Sequence, residues 1–333
     1  MTIANRGLVA AIGLLALAGA FAVQQLTVSN ADAAKLKLVS DAGLQLSSPN
    51  ESPRAAVECP GKLEPYGGAQ SATPAPLAGN GQGVYPHSYE RLGAQGGFHS
   101  TPVLFDPPPG GDTRSYQVKL QVKCGKKPGK IADPHDIAFN VPSNTQVTLE
   151  AHCPKKSVLI GGGFQRAAFE FGGGVYPNSS FAADKNTWTA TGTAFGTIRN
   201  DFVSIGYCLA SPKRKPLITT VEAPVSIAPG QVGFATTPSC SGGRKMVWSG
   251  FDTSPKAVGP ADRAVLFADG IFNDNQSFTA SAYNGTAGVA TLTAYGYCMK
   301  NKVIGGSLKK FSKKQGNLDK LGVGQDQDGN PNG

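Results

Sequence analysis

Short segments of alternating apolar and polar residues recur along the chain. In residues 187–191 and 277–281, threonine or serine alternates with tryptophan, phenylalanine or alanine, and residues 203–208 place Val203, Ile205 and Tyr207 on one face. Alternation with a period of two, rich in β-branched and aromatic residues, is typical of half-buried strands. No segment has a sustained apolar period of 3.6 residues, so we expect little helix. The pattern predicts an all-β fold.

The first 34 residues have a different character. Arg6 precedes an apolar run at residues 7–23. Small-x-small motifs, typical of signal-peptide cleavage sites, occur at residues 20–22 and 31–33. This is the pattern of a cleaved secretory signal peptide. An uncleaved membrane anchor is the alternative, but the run is shorter than the roughly 20 residues that a spanning helix needs. We therefore predict a signal peptide at residues 1–34 and a secreted mature chain without a transmembrane span.

Two blocks of the remaining sequence are repeated. Residues 142–164 match residues 229–251, and residues 175–208 match residues 265–298, so that Trp188 aligns with Phe278. A third, more divergent copy opens the mature chain, and it has no clear counterpart of the strand that carries the tryptophan. Internal repeats of this kind indicate one structural unit used several times.

The copies define the predicted domain organisation. We expect three tandem β units of about 70 residues each, sandwich-like or prism-like. Because a unit of this size buries only a modest core, we expect each one to be closed by a disulfide. The predicted segments are a signal peptide at 1–34, a linker at 35–56, a degenerate first repeat at 57–130, a second repeat at 131–215, a third repeat at 216–300 and a basic disordered tail at 301–333.

Six cysteines allow 15 pairings, and the repeat selects one of them. Each copy holds one cysteine near its start and one at its end, which predicts the disulfides Cys59–Cys124, Cys153–Cys208 and Cys240–Cys298. An exported chain meets an oxidising environment, which favours these bonds. No Cys-x-x-Cys motif is present and the chain has only four histidines, so we predict neither a metal site nor a cofactor.

The motifs of the second copy also carry a resemblance. Cys153-Pro154, Gly161-Gly162-Gly163-Phe164, the aromatic-threonine strand at residues 187–191 and the closing Tyr207-Cys208 resemble a disulfide-closed β repeat of secreted actinobacterial proteins. In that family the pattern runs CPxGxxxxGGGx, then GWTVxxxN, then AYxxC. The resemblance implies secretion and β structure, and it implies no particular activity.

Two motifs have simple structural explanations. Gly161-Gly162-Gly163 lacks the Lys-Ser/Thr of a phosphate loop, and the next copy retains only the third glycine, as Gly250. We therefore predict a β-bulge or a positive-φ position at Gly163 and Gly250. Asp184 and Asp274 both precede an aromatic strand, and we expect them to stabilise turns rather than to act in catalysis or calcium binding.

The composition limits the classes of protein that remain. Charged residues make up only 16% of the chain, against roughly 25% in ordinary soluble domains, and 43 glycines and 24 prolines argue against helical bundles and coiled coils. The 40% of residues that are apolar can build a core, which excludes a highly charged disordered chain.

The formal net charge is +9, and lysines and arginines cluster after the closing cysteine of each copy. If the units pack alike, the basic segments that follow the closing cysteines form one cationic edge, which could bind an anionic wall polymer, an acidic polysaccharide or a membrane surface. The alternative is that lysines merely solvate linkers and a tail. The candidate residues are Lys126, Lys127, Lys130, Lys213, Arg214, Lys215, Lys300 and Lys302. Nucleic acid is disfavoured as a partner because aromatic residues do not interleave with these cations.

These observations predict a secreted, non-enzymatic structural or adhesion protein, extracellular and associated with the cell envelope. A carbohydrate-binding module is the first alternative, in which Tyr85 and Tyr176 form an aromatic platform for a sugar ring. An enzyme acting on polysaccharide is the second alternative. No catalytic residue is assigned, because the chain has neither a Gly-x-Ser-x-Gly elbow nor a His-Glu-x-x-His motif, and every cysteine is assigned to a bridge.

Overall fold

The structure, a computed structural model, is all-β. It describes residues 36–41, 43–46, 55–74, 83–92, 96–105, 115–126, 129–166, 174–195, 201–210, 212, 217–256, 267–273 and 276–300. Twenty strands account for most of these residues, and none of the described residues forms a helix. The fold class predicted from the alternating pattern is confirmed. The predicted signal peptide and the basic tail lie outside the described residues.

The strands divide into three groups along the chain. The first group is β1 (Lys37–Ser40), β2 (Leu44–Leu46), β3 (Ala55–Glu58), β4 (Glu64–Thr73), β5 (Gly83–Leu92), β6 (Gly97–Phe105) and β7 (Tyr116–Gly125). The second is β8 (Ile131–Ala132), β9 (His135–Ala138), β10 (Gln146–His152), β11 (Ser157–Arg166), β12 (Gly174–Ala182), β13 (Thr187–Phe195) and β14 (Phe202–Ala210). The third is β15 (Ile218–Ile227), β16 (Gln231–Thr236), β17 (Arg244–Ser254), β18 (Phe267–Asn273), β19 (Ser277–Asn284) and β20 (Ala290–Lys300).

Sheets 1 and 2 each combine strands from two groups. Sheet 1 has the order β3-β6-β5-β11-β14-β8, with β9 also paired to β14, and sheet 2 has the order β10-β13-β12-β17-β20-β15. The strands β16-β19-β18 and the four strands β1, β2, β4 and β7 form two hydrogen-bonded sets. Because β18 packs beside β4, we call these two sets sheet 3. Neighbouring groups therefore share their sheets and do not stand as separate sandwiches.

The same pairing scheme recurs in each group. The last strand, β7, β14 or β20, lies between the strand or strands that open the group and the long strand β4, β11 or β17. A register shift interrupts the pairing of each long strand at the corresponding place. Beyond it, Gly67 pairs with Lys123, Gly161 with Tyr207 and Trp248 with Tyr297.

Two features of the first group differ from the sequence expectations. The predicted linker at 35–56 contains β1, β2 and the start of β3, because residues 37–40 and 44–46 pair with β7 and complete its sheet. The first group also has a counterpart of Trp188, namely Phe98 of β6. Phe98 pairs with Arg91, as Trp188 pairs with Ala182 and Phe278 with Phe272. The match is hard to see in the sequence because residues 97–101 lack the tryptophan and the threonine alternation of residues 187–191.

The three predicted disulfides are present, and no described cysteine is free. Each disulfide joins two sheets. Cys59 follows β3 of sheet 1 and bonds Cys124 of sheet 3; Cys153 follows β10 of sheet 2 and bonds Cys208 of sheet 1; Cys240 follows β16 of sheet 3 and bonds Cys298 of sheet 2.

The antiparallel registers place both cysteines of a sheet at the same end of that sheet. In sheet 1, for example, Glu58 before Cys59 pairs with Gly97, while Cys208 pairs with Leu159 beside the start of β11. The three bridges therefore gather the corresponding ends of all three sheets. We call this end of the described fold the cysteine end.

The core fills the space between the sheets with aromatic side chains. Trp188, Phe278 and Phe98 are each at most 2% exposed. The long strands β4, β11 and β17 contact one another at the centre, where the Trp248 indole lies against Gly161 and Gly67. Gly162 leaves room for Trp188, and Gly68 leaves room for Phe98.

The glycine motif has a structural role, but the predicted mechanism is wrong. The register shifts lie before Gly161 and before Trp248, and neither Gly163 nor Gly250 has a positive φ. A Cβ on Gly163 would instead overlap the carbonyl of Tyr89, and one on Gly250 would lie 2.5 Å from the carbonyl of Ser180. These glycines are required because a neighbouring backbone approaches closely.

Candidate functional site

Exposed basic side chains surround the cysteine end. The turn that follows the first cysteine of each group carries Lys62, Lys155 and Lys156, or Arg244 and Lys245, while the segments after β7 and β20 carry Lys126, Lys130 and Lys300. Lys62, Lys126, Lys130, Lys155, Lys156 and Lys300 are exposed, and Arg244 and Lys245 are half-buried. Exposed acids at this end are fewer, and they include Glu58 and Asp184.

The strand register places two of these cations side by side. Arg244, at the start of β17, pairs directly with Lys300, at the end of β20. The corresponding pairs are Ser157 with Ala210 and Glu64 with Gly125, neither of which brings two cations together. Like charges directly opposite one another in a sheet are destabilising. The pair therefore costs stability that neither of the other groups loses.

Lys156 carries a second local cost. Its turn is closed by a hydrogen bond from the amide of Ser157 to the carbonyl of Pro154, and Lys156 itself has a φ of 67°. In the equivalent turns the positive-φ residues are the glycines Gly61, Gly242 and Gly243. A residue with a Cβ is disfavoured in the left-handed region. A lysine in this position is therefore not what the backbone prefers.

The structure describes part of the predicted basic set. Lys126, Lys130 and Lys300 lie at the cysteine end, and the Lys126 carbonyl accepts a hydrogen bond of 2.6 Å from the buried Tyr66 hydroxyl. Lys127, Lys213, Arg214, Lys215 and Lys302 lie outside the described residues. Sequence reasoning missed the turn cations Lys62, Lys155, Lys156, Arg244 and Lys245, because they precede the strands rather than follow the closing cysteines.

The predicted glycan platform is described only at Tyr176. This residue is half-buried, and burial raises the pKa of its hydroxyl. The side chain of Tyr85 lies outside what the structure describes. The pair remains a prediction. The turn role predicted for Asp184 is confirmed, since its carboxylate accepts hydrogen bonds from the Asn186 amide and the Thr187 hydroxyl, and the Asn186 bond lowers the pKa of Asp184.

A second group of polar side chains lies on sheet 1, where β5 and β6 of the first group meet strands of the second. Glu90 and His99 form a cross-strand pair, with 2.5 Å between Glu90 Oε1 and His99 Nδ1. Both side chains are largely buried. The other ring nitrogen of His99 lies 3.4 Å from the Thr101 hydroxyl, which also accepts a hydrogen bond from Ser88.

Asp133 and His135 lie near this pair, on the other side of β11. His135 pairs with Ile205 of β14, and burial lowers the pKa of its imidazole although Asp133 and Glu90 oppose the shift. Burial raises the pKa of Asp133, although Arg91 and His135 oppose the shift. The Asp133 Oδ1 atom is buried, and within the described part of the chain it accepts no hydrogen bond.

Arg91 and Tyr207 connect these groups. The Arg91 guanidinium lies 2.6 Å from Glu64 Oε2 and also donates to the carbonyl of Pro65. The Arg91 amide donates to the buried hydroxyl of Tyr207 at 2.6 Å, and burial raises the pKa of that hydroxyl. Sequence analysis assigned no role to these residues. The pairing of Glu90 with His99 depends on the strand register, which the sequence pattern does not give.

The chain matches no protein family or curated protein, and its described residues contain neither a metal site nor a membrane-spanning helix. No protein-family model matches the chain, and no curated protein is similar to it. In the residues described, no group of three or more histidine, cysteine, aspartate or glutamate side chains has a geometry that could hold a metal ion. The same residues include no helix long and apolar enough to cross a membrane. The three disulfides indicate an oxidising environment.

Proposed function

We propose that this is a secreted, non-enzymatic adhesion or structural protein of the cell envelope that binds anionic polymers through the cations of its cysteine end. The observation that carries the proposal is the gathering of these cations at one disulfide-bonded end. A cationic surface attracts a polyanion by long-range electrostatics and releases it as salt screens the charges.

The two local costs support a binding role over simple solvation. Solubility requires neither a cross-strand Arg244–Lys300 pair nor a lysine with positive φ, because exposed lysines elsewhere serve that purpose without strain. Backbone strain and repulsion that persist in a fold are typical of functional surfaces. The disulfides restrain the ends of the sheets that carry these cations, which lowers the ordering cost of binding.

The proposal is tested by cosedimentation with isolated cell wall and with acidic liposomes across a salt series. We expect binding at low salt and release as salt rises. Replacing the exposed Lys126, Lys155 and Lys300 of the cysteine end together by Gln is expected to weaken binding without lowering stability, because exposed charges contribute little to folding. Binding that persists unchanged at high salt would reject this mechanism and indicate a specific pocket instead.

A further inference from the structure

Strand β16 forms an edge of sheet 3, and its outer side has no partner among the described residues. β16 pairs with β19, and one row beyond the strand the Thr237 amide donates to the Phe278 carbonyl at 2.9 Å. In an antiparallel ladder, successive residues point their backbone groups alternately toward the partner strand and away from it. The amides and carbonyls of Val232, Phe234 and Thr236 therefore point away from β19. No described residue bonds to them on that side.

The side chains at this edge are uncharged, and one of them is a large exposed ring. Phe234 is 55% exposed, Thr236 is also exposed, and Val232 is half-buried. In β10, the equivalent edge strand of sheet 2, Thr148 takes the position of Phe234 and Glu150 takes that of Thr236. The fold therefore accepts polar residues at these positions, and its packing does not require the ring of Phe234.

The other described edge strands carry features that discourage pairing with another chain. In β10, the Asp136 carboxylate accepts a hydrogen bond from the Glu150 amide at 2.9 Å. β15 carries the exposed Glu222 and Pro224, and proline has no amide hydrogen. The edge strands β1, β2, β3, β8 and β9 have at most four residues each. Charges, prolines and short length are the usual protections of a sheet edge. β16 has six residues with neither a charge nor a proline.

The surroundings of this edge are also free of charge. Residues 227–243 and 275–299, which contain β16 and β19, include no lysine, arginine, aspartate or glutamate. The chain as a whole has a formal net charge of +9, so copies of it repel one another where their cations meet. At β16 two copies can approach without placing like charges opposite each other. The edge is therefore self-compatible.

We propose that β16 pairs antiparallel with β16 of a second copy and forms a dimer with twofold symmetry. Pairing centred on Phe234 sets this residue opposite the partner's Phe234 and sets Val232 opposite the partner's Thr236. All of these residues point their backbone groups outward, so the pairing forms about six backbone hydrogen bonds. The two phenylalanine rings lie on the same face and add a cross-strand aromatic contact. Such an interface is isologous and closed, which limits assembly to two copies.

The dimer has a consequence that rests on the proposed function. β16 runs toward the cysteine end, since Cys240 follows it. Antiparallel pairing directs the two copies oppositely, so their cysteine ends lie at opposite ends of the dimer. If each cysteine end binds a polyanion, the dimer joins two separate polymers or surfaces, as an adhesion protein does.

The test is sedimentation equilibrium of the secreted, disulfide-bonded protein without any polyanion. The strand is short, so we expect a dissociation constant of about 10 to 100 µM, within a concentration series of about 1 to 500 µM. The mass is expected to rise from monomer to dimer and no further. High salt is expected to leave the dimer intact, because backbone and apolar contacts are not screened. This result does not depend on polyanion binding, so the two proposals fail separately.

Hydrogen exchange and two matched variants locate the interface. Exchange at the amides of Val232, Phe234 and Thr236 is expected to slow as the concentration rises, because these amides become bonded. Phe234→Lys sets a cation opposite its own copy and is expected to weaken the dimer by about tenfold or more. Thr148→Lys makes the same charge change at the equivalent exposed position of β10, and it is expected to dimerise as the wild type does. Both positions are exposed, so their unfolding midpoints are expected to stay near the wild-type value.

Three outcomes would overturn the proposal. The first is a protein that stays monomeric across the series, which would leave the edge to a strand of another protein. The second is a dimer in which exchange at the three amides does not slow, or in which Phe234→Lys associates as tightly as the wild type. The third is equal weakening by Thr148→Lys, because net charge would then control association.

Discussion

Lys156 holds a backbone conformation that glycine adopts at lower free energy. We predict that Lys156→Gly raises the free energy of unfolding by up to about 1 kcal/mol, because the strain of a Cβ at positive φ is removed. The same change removes a cation from the cysteine end and is expected to weaken polyanion binding. Lys155→Gly is the matched control, since it removes an equal charge from the same turn at a residue without positive φ. Denaturant unfolding and cosedimentation measure the two effects, and a stability loss in Lys156→Gly would contradict this account of the turn.

Trp188 is the central aromatic residue of the second group. Its ring is 1% exposed, and its Nε1 donates to the Ser180 hydroxyl at 2.9 Å. Truncation to alanine removes this packing and is predicted to cost roughly 3 to 5 kcal/mol in the free energy of unfolding. Phe278→Ala is expected to behave alike, whereas truncation of the exposed Val289 leaves stability near wild type. An unchanged melting temperature in Trp188→Ala would show that the ring is not a core residue.

Neighbouring strands approach one another closely at Gly162. A Cβ on Gly162 would overlap the Trp188 ring and would lie 2.5 Å from the carbonyl of Ile205. We therefore predict that Gly162→Ala lowers the free energy of unfolding by about 1 to 3 kcal/mol, the usual cost of overpacking. Gly288→Ala is the control, because nothing lies within 4 Å of its Cβ position. Equal unfolding midpoints for the two variants would contradict the packing described here.

The individual strands could be predicted from the sequence, but their sheet partners could not. Period-two alternation identified the strand at Thr187 and Trp188, and the repeat fixed the cysteine pairs. Neither pattern reports which group supplies the neighbouring strand, because cross-group pairs such as Phe164 with Tyr89 depend on packing across the whole fold. For the same reason the proximity of Glu90, His99 and His135 could not be read from the chain. Their positions depend on register, which a single sequence specifies only through the completed core.

Each of the three disulfides joins two different sheets of the molecule. The closed loops span 65, 55 and 58 residues, and loop closure of this length corresponds to roughly 4 kcal/mol per bond in the chain-entropy model. We predict that replacing Cys153 and Cys208 by serine lowers the unfolding free energy by an amount of this order. Removal of either other bond is expected to cost about the same, because the cost depends only weakly on loop length. Unfolding curves that coincide with the wild type would contradict a stabilising role for the bridges.

The most direct test of the binding account asks whether the position of the charge matters or only its total. Lys155→Gln with Lys300→Gln removes two exposed cations from the cysteine end, whereas Lys119→Glu reverses one exposed cation on β7 away from it. Both variants lower the net charge by two. Affinity for a long inorganic polyphosphate is measured for each at low salt. The account predicts about tenfold weaker binding for the first variant and near wild-type binding for the second. Equal weakening in both would show that net charge alone attracts the polymer, and would contradict the cysteine end as the binding surface.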